Sequence, residues 1–312
     1  MTITRAVKEY LRYCRVGRNY SPYTLRNYEH YLNSFSAWAL EAKLIDVEKI
    51  GGDDILEFQE HLATKHTPPL GPSSRNYYLI ALRSLLRFLS MSEANVISIA
   101  KIPLSKTGQR QIQFISADDM ERLNAAIAGE RLTDKRDRAI VKTLFSTGLR
   151  VSELVALKRN EVSLVKGEFS VKGKGGKVRP VFLSDEALEI LADYLESRSD
   201  SNPFVFIRHY TNSRLDSNKT SLTARSVQRI LHTLALKAGL SKPVTPHKLR
   251  HGFATDLLQN GADLRSVQAL LGHSSVATTQ IYTHVTDRSL REAHHRFHDT
   301  KRGDALDPAL KS

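Results

Sequence analysis

Apolar side chains in the first hundred residues recur at the three- and four-residue spacing of amphipathic helices. Residues 21–41 begin with Ser21 and Pro22, residue types that are favoured at an N-cap and at the first helical position. One face of this segment is apolar: Leu25, Tyr28, Leu32 and Phe35. Residues 72–89 show the same pattern, with Leu79, Leu82, Leu86 and Leu89 on one face. These patterns predict a bundle of helices in the N-terminal part of the chain.

The pattern changes from helical spacing to alternation at one place in the second half of the chain. Two β-rich runs, 168–172 and 178–183, flank a turn rich in Gly and Lys, which predicts an antiparallel hairpin. Helical patterns surround this hairpin. The first begins at Ser116, which has capping-box spacing to Asp119, and the next ends at Gly148. We therefore expect a mixed α+β second domain with one small antiparallel sheet.

A polar and basic segment between these halves has no helical spacing and marks a linker. We expect an N-terminal domain at residues 1–104, a linker at 105–113, a second domain at 114–298 and a tail at 299–312. A chain of 312 residues with 41% hydrophobic residues can form a core in each domain. The predicted fold class is mainly α, with strands confined to the hairpin.

The charge balance narrows the class of partner. Lys and Arg number 46 against 33 Asp and Glu, which gives a net charge of +13 and a pI near 9.8. Such a balance is typical of proteins that bind a polyanion, with nucleic acid ahead of a membrane surface. No apolar run approaches the ~20 residues of a bilayer span, and the N-terminus lacks the apolar core of a signal peptide. We expect a cytoplasmic protein that binds nucleic acid and does not bind a membrane.

Several basic side chains stand where the predicted backbone could direct them at an anion. Thr245 and Pro246 predict a helix start that places His247 and Arg250 on one face, projecting near the positive end of the helix dipole. Three other basic residues are Arg150 after the helix-ending Gly148, Lys174 at the hairpin tip and His273 after Gly272, and the phenol of Tyr282 is a further candidate. Each candidate alone has an ordinary interpretation, as a solvated charge or as a packed side chain.

Four segments resemble, in order and spacing, the motifs of tyrosine site-specific recombinases, the phage integrase family. They read "TGLRVSELVALK", "GKGGK", "HKLRHGFATDLLQNGADLRSVQALLGH" and "TTQIYTHV". The resemblance is strongest to Xer-type recombinases and extends to about Phe297. It implies a SAM-like core-binding fold for the N-terminal bundle and the recombinase catalytic fold for the second domain. The chain departs from the family pattern after Lys177, where it reads "VRPVFL", and in its extension beyond Phe297.

The resemblance also implies a role for each candidate residue and a reaction that needs no cofactor. The nucleophile is Tyr282, Arg150 and Arg250 bind the scissile phosphate, Lys174 is the general acid, and His247 and His273 supply base or transition-state roles. The reaction forms a 3′-phosphotyrosyl link, and neither ATP nor a metal is needed. Further predicted DNA contacts are Arg83, Arg87, Lys172 and Lys177. The pair Arg83 and Arg87 could equally be a solvated helix face.

Recombinases of this family act as homotetramers on double-stranded DNA recombination sites, and the resemblance implies the same partner and assembly here. Exchange of a C-terminal helix between protomers fits "SLREAHHRFH", which has Leu290, Ala293 and Phe297 on one face. Packing of this helix on its own domain is the alternative. The sequence does not indicate whether a second recombinase or a DNA translocase is a further partner.

The implied role is resolution of chromosome or plasmid dimers, with integration of a mobile element as the alternative. No arm-binding domain precedes the first predicted helices, which disfavours integrases of the lambda type.

Two further classes of protein are alternatives to a recombinase: a metal hydrolase and a DNA-binding relative without activity. His247 and His251 have the spacing of zinc ligands, but no Glu follows the first histidine and Arg250 would repel a cation. A DNA-binding relative without activity would usually lack one of the six catalytic residues, and all six are present.

Overall fold

The structure is a computed structural model that describes residues 1–107, 115–173, 176, 178–209 and 221–272. The chain divides into two compact units, Met1–Arg110 and Gln111–Ser312. Each unit has its own core of buried apolar side chains. The division falls within the expected linker at 105–113, part of which lies outside the described residues, and the finer domain limits stay predictions.

The first unit consists, in the part described, of helices joined by turns and loops, with one isolated β-bridge between Thr2 and Asp46. Its α-helices are α1 (Ile3–Val16), α2 (Pro22–Glu41), α3 (Gly52–Glu60) and α4 (Pro72–Met91). Short 3-10 turns at Val47–Lys49 and Ile99–Lys101 and a π-helical turn at His61–Lys65 join and extend them. The predicted start of α2 is confirmed, because the Ser21 side chain accepts the N–H of Thr24 and Pro22 is the first helical residue.

The core of the first unit forms between the apolar faces of these helices. Leu32 and Phe35 on α2 are buried, and Leu25 and Tyr28 pack beside them half-buried. The apolar face predicted for α4 is confirmed in full, with these residues inaccessible to solvent: Leu79, Leu82, Leu86 and Leu89. Cys14 is also buried in this core, which suits a small apolar side chain.

In its described residues, the second unit combines helices with one hairpin. Its α-helices are α5 (Ala117–Ala125), α6 (Leu132–Thr147), α7 (Val151–Ala156), α8 (Asp185–Glu196), α9 (Ala224–Lys237), α10 (Pro246–Gln259) and α11 (Leu264–Leu271), with a 3-10 turn at Arg159–Glu161. The capping box at the start of α5 is confirmed, since Ser116 and Asp119 bond each other's backbone N–H groups.

The hairpin consists of β1 (Glu168–Lys172) and β2 (Val178–Phe182), paired antiparallel with Glu168 opposite Phe182. Each strand alternates exposed and buried side chains. On β2 the inward positions belong to Val181 and to a charged residue, Arg179. The predicted hairpin is thus confirmed, and it carries one buried arginine into the second unit.

None of the described helices is long and apolar enough to cross a membrane.

Candidate active site

Two glycines end helices on the same side of the second unit. Gly148 ends α6 with φ 59°, and Gly272 ends α11 with φ 62°. Only glycine adopts this left-handed conformation at little cost. Both stops agree with the sequence prediction. A Cβ at Gly148 would lie 2.4 Å from Phe253 Cδ1, so the close packing of α10 also requires a glycine there.

Arg250 on α10 connects the two helix stops. Its Nη1 donates to the carbonyl of Gly148 at 2.5 Å, and its Nη2 donates to the carbonyl of Leu271 at 2.5 Å. The residue is 4% exposed. The sequence predicted that this side chain projects from the helix, and that was wrong. Helix-end carbonyls lack partners within their own helix, and the guanidinium satisfies two of them from within the protein.

Arg150 precedes the first turn of α7 and is held from two directions. Its Nη1 donates to Glu153 Oε1 at 2.9 Å, and its Nη2 donates to the carbonyl of Gly272 at 3.3 Å. Glu153 Oε2 accepts the backbone N–H of Arg150 at 2.8 Å, as a residue at the third helical position does when it caps a helix. A third of the Arg150 side chain remains exposed, at 33%. One guanidinium is therefore oriented by protein and still reachable from solvent.

The carboxylate that orients Arg150 also pairs with the buried arginine of β2. Arg179 Nη2 donates to Glu153 Oε2 at 2.8 Å, and the two side chains are only 7% and 6% exposed. Burial, and after it the neighbouring charge of Arg150, lowers the pKa of Arg179 against the opposing effect of Glu153. Two guanidinium groups thus share one carboxylate at the wall of the site.

His247 lies in the first turn of α10, after the confirmed N-cap of Thr245 and Pro246 at the first position. Its side chain reaches solvent, yet the surrounding protein atoms and then the charges of Arg250 and Arg150 lower its pKa. The Nε2 atoms of His247 and His251 are 3.0 Å apart, so one ring donates and the other accepts. At neutral pH His247 is uncharged beside two guanidinium groups, which is the state a proton acceptor needs.

The described residues therefore bring together three of the six predicted catalytic residues: Arg150, His247 and Arg250. The other three, Lys174, His273 and Tyr282, lie outside the described residues, and so does the predicted DNA contact Lys177. Lys172 is exposed at the end of β1. In the first unit Arg87 is exposed on α4 and Arg83 is half-buried.

The rival metal site has only two candidate ligands here. His247 and His251 are adjacent, but within the described ranges no three His, Cys, Asp or Glu side chains form a group that could hold a metal ion. Arg250, three residues after His247 and directly before His251 on the same helix, adds a positive charge that opposes a cation.

Two residues of the site, Glu153 and Arg179, were not singled out from the sequence. Glu153 stands three residues after Arg150 at a helix start, a spacing that favours a backbone cap. Arg179 occupies an inward position of a strand that alternates in and out, where a charged side chain requires a buried partner. Each of these signals can be read from neighbouring residues, but the pairing of Glu153 with Arg179, 26 positions later, cannot.

As a chemical arrangement, the site offers fixed positive donors next to a neutral imidazole. Guanidinium groups bind the oxygens of a phosphate diester with directed N–H groups and do not lose their charge at any physiological pH. A neutral histidine beside them can take a proton from an attacking hydroxyl. The arrangement is suited to nucleophilic attack on a phosphodiester.

Comparisons with known proteins agree with this chemistry. Residues 113–289 match the phage integrase family, and residues 7–93 match the family described as phage integrase, N-terminal SAM-like domain. The chain is 36% identical over 304 residues to the tyrosine recombinase XerD of Listeria monocytogenes, covering 94% of this chain and 98% of that protein. It is 38% identical over 285 residues to the tyrosine recombinase XerA of Thermococcus kodakarensis, covering 88% of each.

A solved structure is similar along most of the chain. The XerH site-specific recombinase, bound to a palindromic difH substrate in a post-cleavage complex, is 25% identical with a TM-score of 0.68, covering 93% of this chain and 84% of that one. The mainly helical fold with a two-stranded sheet and a SAM-like N-terminal domain agrees with the predicted class. Family matches over both units and relatives above 30% identity along most of their length lead to one conclusion: this chain belongs to the phage integrase family of tyrosine recombinases.

Proposed function

We propose that this site-specific DNA recombinase cleaves one strand of its target with Tyr282 and rejoins it through a 3′-phosphotyrosyl intermediate. The observation that carries the proposal is the placement of neutral His247 beside Arg150 and Arg250. A phosphodiester gains negative charge on its non-bridging oxygens when an oxygen nucleophile attacks, and preorganised positive donors stabilise that charge. Arg150 and Arg250 are assigned to this role.

The nucleophile and the leaving group both require proton transfer. A phenol has a pKa of about 10 and is protonated at neutral pH, so Tyr282 needs an acceptor, which we assign to His247 or His273. The departing 5′ oxygen needs a proton, which we assign to Lys174. The tyrosyl O–P bond forms as the P–O5′ bond breaks, and attack by a 5′-hydroxyl reverses the exchange. The energy of the phosphodiester is retained, so neither ATP nor a metal ion is required by this scheme.

The biological role that we propose is resolution of chromosome or plasmid dimers. Relatives named XerD and XerA, and a XerH structure with a difH substrate, support an Xer-like role. Integration of a mobile element by the same chemistry is the second candidate. The two roles are distinguished by the target, a site in the host chromosome or the ends of an element.

We also propose a homotetramer on DNA, joined by the C-terminal segment 289–298 of each neighbouring copy. A largely apolar groove of about 610 Å³ in the second unit is lined by residues of α5, α6, β2 and α10, among them Phe145, Val181, Phe253 and Leu257. The predicted apolar face of that segment, at Leu290, Ala293 and Phe297, has matching chemistry. Removing residues 289–312 is expected to abolish tetramers on DNA, measured by sedimentation of the complex.

The test of the chemistry is a denaturing gel of protein incubated with nicked duplexes that carry candidate recombination sites. Wild type is expected to form a covalent protein–DNA band, and Tyr282→Phe is expected to form none while binding the duplex equally well. Tyr31→Phe, in the first unit, is the matched control and should keep the band. A band that persists in Tyr282→Phe would exclude this nucleophile. Tight binding with no band on any duplex would favour a relative that binds DNA without activity.

A further inference from the structure

Arg179 is a buried arginine that belongs to no assigned role, yet it contacts both groups that hold Arg150. One is Glu153, whose Oε2 accepts an N–H from Arg179 Nη2 at 2.8 Å. The other is Gly272, the glycine that ends α11. Arg179 packs so closely on it that an added Cβ there would lie 2.8 Å from Arg179 Cδ and 3.0 Å from its Nε. Arg150 in turn donates to Glu153 and to the Gly272 carbonyl. Both arginines therefore bond Glu153, and both lie against Gly272, where Arg150 alone bonds the carbonyl.

Burying the Arg179 guanidinium costs free energy, which must be offset by other interactions. Removing a guanidinium from water is repaid only when its N–H groups find acceptors, and an apolar side chain of similar volume often serves stability equally well. Glu153 takes one N–H group, but Nε and Nη1 of Arg179 are buried without an acceptor in the structure as described. Stability alone is a poor explanation for an arginine at this inward position of β2.

The charge of Arg179 matters because one carboxylate would otherwise cancel Arg150. An Arg150–Glu153 pair alone is neutral, and a neutral pair attracts a phosphate weakly. With Arg179 on the other oxygen of the carboxylate, the three side chains carry a net charge of +1 beside Arg250. The second guanidinium also fixes Oε2, which leaves Oε1 directed at Arg150 Nη1.

We propose that Arg179 is a positioning residue for phosphate binding: it acts through Glu153, and through its close packing on Gly272, to orient Arg150 and to keep this side of the site positive. The inference rests on the proposed function, since it presupposes that Arg150 binds the scissile phosphate. Arg179 itself is buried behind Glu153 and does not touch the DNA.

The experiment measures single-turnover cleavage of a nicked duplex on which wild type forms the covalent band. The duplex is prepared in two forms. One carries the normal scissile phosphate, and the other carries a methylphosphonate, in which a methyl group replaces one non-bridging oxygen and removes the charge. Arg179→Met removes the guanidinium charge and keeps an apolar stem. Arg136→Met is the matched control, because Arg136 is also buried in the second unit and pairs with a carboxylate, Asp137, at 2.7 Å.

On the phosphate duplex, Arg179→Met is expected to cleave about 10 to 100 times more slowly than wild type, the range seen when a residue that orients a metal ligand is removed. On the methylphosphonate duplex the ratio of wild-type to variant rates should fall toward one, because the charge that Arg150 must meet is absent. Arg136→Met should give the same ratio on both duplexes. Arg179→Lys, which keeps the charge, should cleave the phosphate duplex faster than Arg179→Met.

Equal rates of wild type and Arg179→Met on phosphate would overturn the inference, and so would an equal loss on both duplexes, which indicates a structural role. Should Arg179→Met fail to fold, Arg179→Gln replaces it. If neither the Met nor the Gln variant folds, the role of Arg179 is stability alone. If wild type itself gives no covalent band on any duplex, the proposed function fails, which is a different result from equal rates of wild type and variant.

Discussion

Arg250 on α10 donates to the backbone carbonyl of Gly148, 102 residues earlier in the chain, at 2.5 Å. The same guanidinium bonds Leu271 at the end of α11. One side chain thus ties together the end of α6, just before Arg150, and the end of α11. A residue assigned to phosphate binding also organises the backbone of its site, so its replacement should affect both structure and catalysis.

The helix stop at Gly148 gives a stability prediction. Gly148→Ala forces a left-handed alanine, which costs roughly 1–2 kcal/mol, and places its Cβ 2.4 Å from Phe253, for which overpacking adds roughly 1–3 kcal/mol. Gly167→Ala is the matched control, because Gly167 has a similar φ of 65° and the added Cβ would lie at an ordinary 3.4 Å from its nearest atom, Leu188 Cδ2. Urea unfolding should show a clearly larger loss for Gly148→Ala. Equal losses at the two positions would mean that the contact with Phe253 relaxes without cost.

The lowered pKa of His247 predicts a pH dependence. His247 is neutral above its folded pKa, which lies below the ordinary 6.5, and it gains a proton as the pH falls through that value. If it accepts the proton of Tyr282, cleavage should slow along this acidic limb. Arg150→Ala removes one of the charges that oppose protonation, so the pKa of His247 should rise.

This shift can be measured without DNA. Titration of the histidine ring signals by NMR follows His247 directly, with His247→Gln to assign its signal. Arg131→Ala, which removes an exposed arginine of the same unit that pairs with Asp134, should leave the titration unchanged. A His247 signal that titrates at the same pH with and without Arg150 would contradict the electrostatic coupling.

Arg87 offers a test of the predicted DNA contact on α4. Its side chain is exposed, and a phosphate contact through it releases a counterion from DNA. Arg87→Ala should weaken binding to a duplex and reduce the slope of log K against log salt by about 0.9. Fluorescence anisotropy at several KCl concentrations measures both. Arg5→Ala, whose exposed arginine already pairs with Glu9 on α1, should change the slope less. An unchanged slope for Arg87→Ala would identify a solvated helix face.

Local sequence signals predicted most of the secondary structure that supports the site. The caps at Ser21, Ser116 and Thr245 and the stop at Gly148 were confirmed because each depends on atoms within about four residues of the signal. The hairpin and the inward face of α4 were confirmed for a similar reason, since side-chain period follows directly from backbone geometry. The common helix face of His247 and Arg250 was predicted from their spacing, and the place of Arg150 in the same site came from the family resemblance.

Only the tertiary structure decided what these side chains contact. The sequence by itself determined that Arg250 stands one turn after His247, but its burial between two helix ends depends on how α6, α10 and α11 pack. In the same way, Glu153 and Arg179 each carry a local signal, but the fold decides that the Arg179 side chain on β2 reaches Glu153, the carboxylate that also bonds Arg150. Contacts between residues far apart in sequence form only when the core closes, and no local pattern specifies which charges then become neighbours.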